Sequence, residues 1–381
     1  MELGKKRKLL VGLSAAILFG IIVFGLNPKG FDFSNRVSWI TEQPGIRFGK
    51  YGIAYTHPSN EWIEQNSLES GGFSMEIALK PISYHEERFN IIFAIHDGKD
   101  RNQLLAGQWR SHIIIMNGDD YKHKRGIKRI AINAASLSSK KMLIAITTGK
   151  EGTKVYVDGQ LAHTKTDLTL KMPDKNKSRL LIGNSVYGKN SWRGDIYGLA
   201  FYGYTLTNQD AETHFNRWSR DQSFLFAKKD NPFVLYIFDE KEGSEAIDHG
   251  PGNHHLKIPR HMQILKREIL APPWQGAELS RSFIIDIVLN LVGFIPAAFI
   301  LNLLFVNISG SIGKYSAVTT ILLCFFISLF IEIAQAWMPS RSSQMLDLIL
   351  NTFGAFFGVM LCRSFLRWTR EGRGWLLSRY F

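Results

Sequence analysis

The chain of 381 residues is longer than one ordinary domain and suits two or more. Its formal charge of +13 comes without a nucleic-acid motif, so the basic excess points to cytoplasmic flanks and anionic lipid, not to nucleic acid. The only cysteines, Cys324 and Cys362, both fall in apolar stretches, which excludes a disulfide-stapled secreted module and suits a bacterial envelope protein.

The first predicted element is the apolar run Leu9–Leu26, long enough to span a bilayer, behind the basic stretch Lys5-Lys6-Arg7-Lys8. A signal peptide shares these features, but Phe24-Gly25-Leu26-Asn27-Pro28 offers no small-x-small cleavage site. Residues 9–26 therefore read as an uncleaved signal-anchor, with residues 1–8 in the cytoplasm.

From about 30 to 270 the pattern changes to short period-two runs separated by turn residues, which predicts an all-β sandwich outside the membrane. Predicted strands are Phe73–Lys80, Asn90–His96, Gln103–Gln108, His112–Met116, Met142–Thr148, Lys154–Val157, Arg179–Ile182 and Ile196–Tyr204. Val157-Asp158-Gly159-Gln160 reads as a hairpin turn, and Thr207–Trp218 as a helix with Asp210 placed for a capping box. These strands resemble a concanavalin A-like jelly roll of the laminin-G type. The resemblance is carried by Gly72-Phe73-Ser74-x-Glu76-Ile77, Val155-Tyr156-Val157-Asp158-Gly159, Leu181-Ile182-Gly183-Asn184 and Trp192-x-Gly194-x-Ile196-x-Gly198-Leu199-Ala200-Phe201-Tyr202. The stretch Leu235-Tyr236-x-Phe238-Asp239-Glu240, which resembles a strand that opens such domains, comes near the end here. A permuted arrangement is expected, with this strand beside the one around Gly45–Tyr55.

Glycoside hydrolysis needs a closely placed pair of carboxylates, and Glu76 stands alone on its strand. The sandwich is therefore expected to bind and not to cleave. Trp109, Tyr187 and Trp192 are candidate sugar-stacking rings, and Asp97, Asp119 and Asp120 are candidate oxygen ligands for Ca2+. The bland alternatives are core aromatics and solvated turn carboxylates. His249, His254, His255 and His261 lack compact zinc spacing and read as a polar loop.

Residues 271–282 form a linker in which Ala271-Pro272-Pro273-Trp274 is stiff and Trp274 suits the membrane interface. Three further spans are expected at about Phe283–Phe305, Ser316–Trp337 and Leu346–Leu366. Arginines 363, 367, 370, 373 and 379 hold the basic tail 367–381 inside, so both termini are cytoplasmic and the sandwich is extracytoplasmic. Under this topology Asp286, Asn290, Glu332, Gln335, Asp347 and Asn351 all lie in the outer leaflet, with Arg341 in an outer loop. A carboxylate within a span costs roughly 2.5–3.5 kcal/mol on insertion scales, so several at one depth call for a shared reason. Either they meet as a polar site with Arg341 as counter-charge, or they tie the helices together. Gly354-x-x-x-Gly358 suits close helix approach.

The pattern Asp286-x-x-x-Asn290-x-x-Gly293-Phe294-x-Pro296, Glu332-x-x-Gln335-x-x-x-Pro339-x-Arg341 and Asp347-x-x-x-Asn351-x-x-Gly354-x-x-x-Gly358 resembles the VanZ-like membrane family over about residues 280–365. The founder of that family is associated with teicoplanin resistance. The resemblance implies a multi-pass protein of the bacterial cytoplasmic (inner) membrane linked to cell-wall or surface glycan chemistry. The leading expectation is recognition of an anionic or lipid-linked headgroup by the polar cluster, while the sandwich engages a surface carbohydrate or envelope protein. A membrane-embedded hydrolase or transferase with Glu332 or Asp347 as general base is the alternative. A transporter or proton-coupled channel is a third reading.

Overall fold

The computed structural model describes residues 2–26, 34–58, 71–82, 88–133, 140–173, 178–221, 223–273, 281–308, 310–338 and 341–379. The chain divides into two units, Asp32–Lys266 and a second formed by Met1–Phe31 with Arg267–Phe381. Trp274 and Pro339 lie outside the described residues.

The first unit is a sandwich of two antiparallel sheets, each with eight strands among the described residues. One sheet contains β1 (Val37–Trp39), β2 (Ile46–Phe48), β4 (Phe73–Pro81), β9 (Met142–Gly149), β10 (Gly152–Val157), β11 (Gln160–Lys165), β13 (Gly194–Tyr202) and β14 (Val234–Tyr236). Its order is β1-β2-β13-β4-β9-β10-β11, with β14 also on β13. The other runs β15 (Glu245–Ala246), β16 (Leu256–Lys257), β3 (Ala54–Thr56), β12 (Arg179–Ile182), β5 (Asn90–His96), β6 (Leu104–Trp109), β7 (His112–Asn117), β8 (Arg129–Asn133). Between the sheets lies a core that includes Ile46, Phe93, Trp192, Leu199, Phe201 and Tyr236. Facing side chains from two sheets fill such a core to crystal-like density.

β4, β9 and β13 are buried almost throughout, not in alternation. The reason is a second apolar layer on the far face of that sheet, where helix α2 (Asn208–Asp221) and the 3-10 helix Phe224–Asp230 pack. The start of α2 is fixed by reciprocal bonds: Thr207 N–H and Oγ1 donate to Asp210 Oδ2 (both 2.8 Å), and Asp210 N–H donates to Thr207 Oγ1 (3.2 Å). An aspartate here does the work usually given to Glu or Gln at N3. In the β10–β11 hairpin, Asp158 (φ 51°) and Gly159 (φ 77°) both occupy the left-handed region that a tight two-residue turn needs.

The late strand takes a different place from the one read in the sequence. β14 pairs with Leu199–Phe201 of β13, while β2 pairs with Gly194–Ile196 of that strand. The two therefore lie end to end along one flank of β13, not side by side. The hairpin β15–β16, which follows, is what joins the sheet beside β3.

In the second unit α1 (Glu2–Leu26) packs with α3 (Arg281–Val306) and α5 (Ser316–Gln335), and α6 (Met345–Arg379) packs with α3 and α5; the short helix α4 (Ser311–Lys314) precedes α5. Lys8–Leu26, Phe283–Val306, Ser316–Gln335 and Met345–Thr369 are long and apolar enough to cross a membrane. The α3–α6 seam is the tightest. A Cβ at Gly354 would stand 2.1 Å from the Leu291 carbonyl oxygen, and one at Gly358 would stand 2.4 Å from that of Ile295. Small residues at this spacing let two backbones touch.

Candidate functional site

Polar residues gather at the end of the bundle where α3 and α6 begin and α5 ends. Glu332 is only 2% exposed, and its Oε2 accepts the backbone N–H of Gln344 at 2.7 Å. Asn290 hydrogen-bonds the Asp347 carboxylate, and Asp286 and Glu332 both lie within electrostatic reach of it. One turn further along α6, Asn351 Nδ2 donates to Ser328 Oγ of α5 (2.9 Å). Gln335 turns to α1 instead, donating from Nε2 to the Gly25 carbonyl oxygen at 2.8 Å.

Helix spacing explains the convergence. Asp286 and Asn290, like Asp347 and Asn351, are four residues apart and share a face. The loop after α5 closes over Glu332. Ala271 N–H donates to Ser343 O, Met345 N–H donates to Ala271 O, and Leu270 N–H donates to Ser343 Oγ. This short bridge fixes Gln344, the residue whose N–H meets the buried carboxylate. The half-buried Arg341 lies in the same loop, where its N–H donates to Met338 O. Arg267 places its guanidinium 4.8 Å from the Trp337 ring centre. Ser328, Gln344 and Leu270 were not singled out from the sequence, and Ala271 was read only as the start of a linker, because a backbone donor and a lone serine leave no charge signal.

The aromatic candidates of the sandwich part company. Trp192 is 1% exposed and donates from Nε1 to Gln108 Oε1 at 2.7 Å. It is core, because the sheets need its volume, and it is withdrawn as a sugar contact. Tyr187 is half-buried and its hydroxyl donates to Asp100 Oδ2 (2.7 Å). Trp109 is exposed at the β6–β7 turn, with the Arg110 guanidinium 5.0 Å from its ring centre.

The three candidate calcium carboxylates also serve separately. Asp120 is buried and accepts the N–H groups of Lys124, Arg125 and Ile127. Burial alone would raise its pKa, yet those donors bring it below the usual range. Asp119 pairs with Arg125, and Asp97 accepts from Lys99 N–H and Asn102 Nδ2. Among the described residues no group of His, Cys, Asp and Glu is arranged to hold a metal ion.

Sequence reading also missed the partners of Glu76. Its side chain is fully buried beneath α2, where His214 Nδ1 lies 3.0 Å from both of its oxygens and the Tyr202 hydroxyl donates to Oε2 (2.8 Å). His214 Nε2 faces Asp230 Oδ2 at 3.5 Å, and Arg217 lies 3.3 Å from the same oxygen. The network joins β4, β13, α2 and the 3-10 helix.

Residues 234–367 match the VanZ/LLP1 family model, and residues 58–212 match the concanavalin A-like lectin/glucanases superfamily model. The first match begins in β14, well before the helices, so it covers more than the span segment from which the resemblance was read. No curated protein matches the chain. Among solved structures, botulinum neurotoxin type C, described as interacting with two ganglioside molecules, is 16% identical with a TM-score of 0.38, over 48% of this chain and 45% of that one. The binding domain of botulinum neurotoxin DC, in complex with rat synaptotagmin II, is 13% identical with a TM-score of 0.40, over 58% and 57%. The receptor-binding domain of the C/D mosaic serotype is 17% identical with a TM-score of 0.39, over 62% and 58%. This chain thus spans about half the length of the solved chains it resembles. The protein carries a concanavalin A-like domain and, at its C-terminal end, a VanZ-like domain, with four helices among the described residues long and apolar enough to span a membrane.

Proposed function

We propose that the protein is a non-enzymatic component of the bacterial envelope that recognises a lipid headgroup with its helical bundle and a surface glycan with its sandwich. The observation that carries this reading is Glu332. A carboxylate buried at the end of an apolar bundle, beside Asp347, which itself meets Asn290 and Asp286, costs several kcal/mol. Packing alone does not require that expense. The basic residues at 5–8 and the arginines of the tail support this reading, because the positive-inside rule favours both termini inside, the cluster in the outer leaflet and the sandwich outside.

The chemistry suits a headgroup that carries phosphate together with hydroxyl or amine groups. Carboxylates and amide oxygens accept from the latter, and Arg341 offers a planar fork of donors to the former. A link to glycopeptide resistance or cell-wall polymer chemistry belongs to the same reading. Lipid-resolved mass spectrometry of detergent-purified protein tests it. Wild type is expected to carry an anionic or polyprenyl-phosphate lipid, and Arg341→Ala to lose most of it, roughly tenfold or more. Equal lipid content in the two proteins would remove Arg341 from the site.

A further inference from the structure

One end of the sandwich presents an open groove of about 320 Å³ between three loops. Arg101 enters from the β5–β6 turn, Ile127 and Lys128 from the β7–β8 loop, and Leu168, Lys171 and Met172 from the segment after β11. We propose that this groove binds a glycan bearing carboxylate or phosphate groups, an inference that rests on the reading of the sandwich as a glycan-binding module.

The groove has an apolar floor and a cationic rim. Leu168 is buried, and Ile127 and Met172 are half-buried, which gives the C–H face of a sugar ring something to lie on. Lys128 is held by Asp167 at 3.1 Å, so its charge is largely cancelled. Arg101 and Lys171 are exposed and make no ion pair among the described residues. Two exposed cations facing one groove favour an anion, and a guanidinium adds paired donors for carboxylate or phosphate.

The loops are also fixed in advance. Asn117 grips the backbone of Lys171 from both sides, accepting its N–H at Oδ1 (2.8 Å) and donating from Nδ2 to its carbonyl oxygen (2.7 Å). Asp120 holds the N–H groups of the loop that delivers Ile127 and Lys128. Asp97 accepts from Asn102 Nδ2, and Asn102 N–H donates to Lys99 O, which closes the turn that delivers Arg101. Carboxylates that looked like metal ligands in the sequence are loop pins. Pinned loops reduce the ordering cost of binding.

The test uses the full-length protein in detergent, immobilised, with polygalacturonate and poly(glycerol phosphate) as anionic probes and pullulan as the neutral one. Arg101→Glu/Lys171→Glu is compared with Lys228→Glu/Lys229→Glu, an equal charge change on the 3-10 helix that packs on β13 and β14, away from the groove residues. Wild type is expected to bind at least one anionic polymer and not pullulan. The groove variant should bind it roughly tenfold more weakly or worse, and the distant variant like wild type. Equal weakening of both variants, or of neither, would overturn the groove while leaving glycan binding in place. Binding of pullulan alone would overturn the anionic class, and binding of none of the three would overturn the groove together with the glycan reading on which it rests.

Discussion

Gly354→Val is expected to push α3 away from α6 and lower the melting temperature of the detergent-purified protein. The added Cβ would stand 2.1 Å from the Leu291 carbonyl oxygen, where the obstacle is helix backbone and cannot rotate aside. Overpacking of this kind costs about 1–3 kcal/mol and more when a backbone must move. Bundles in lipid depend on such close packing because apolar burial gives them little. Gly293→Val is the control. Nothing lies within 4 Å of its Cβ position on the partner helix α3, so its melting should stay close to wild type. Equal melting of the two variants would show that the seam is not what holds α3 to α6.

Glu76→Ala is expected to destabilise the sandwich by about 3–5 kcal/mol, the usual cost of removing one partner from a buried ionic network. His214 would lose its contact with the Glu76 carboxylate, and the Tyr202 hydroxyl would lose its acceptor. The same network makes stability depend on pH. Burial pulls the His214 pKa down, but its hydrogen bond to the Glu76 carboxylate and the charges of Glu76 and Asp230 outweigh it, so the net shift is upward. A group with a raised folded pKa stabilises fully below its unfolded value, about 6.5 for histidine, and loses that contribution as pH rises through the folded value. Denaturant unfolding followed by Trp218, which is buried on α2, should therefore show wild-type stability falling as pH rises above neutrality. Glu76→Gln should flatten that fall. An unchanged slope in Glu76→Gln would mean that the pair does not set it.

Much of the architecture was legible because it rests on local signals. Period-two runs marked β4, β5, β7 and β9, Asp158-Gly159 marked a hairpin, and the apolar runs marked four helices. The polar groups of the bundle stood out because carboxylates and amides are rare in such runs and the four-residue spacing placed them on shared faces. What stayed hidden depends on contacts distant in sequence. Glu76 and His214 are 138 positions apart, and neither betrays the other. Trp192 looked like any exposed aromatic until its indole N–H was seen to meet Gln108 between the sheets. The place of β14 was missed because both it and β2 satisfy the pattern of a β13 neighbour, and only the register assigns each a separate half of that strand.

The central claim is that Glu332 and its neighbours form a binding site and do not simply tie the helices together. Glu332→Gln tests it most directly, since the amide keeps the shape and an acceptor for the Gln344 N–H while removing the charge. Bound lipid and melting temperature should be measured on the same purified sample. The account predicts that lipid is lost while the melting temperature stays within a few degrees of wild type, on the order of 1 kcal/mol or less. Retained lipid with a lowered melting temperature would contradict it and make the cluster a structural tie between α3, α5 and α6.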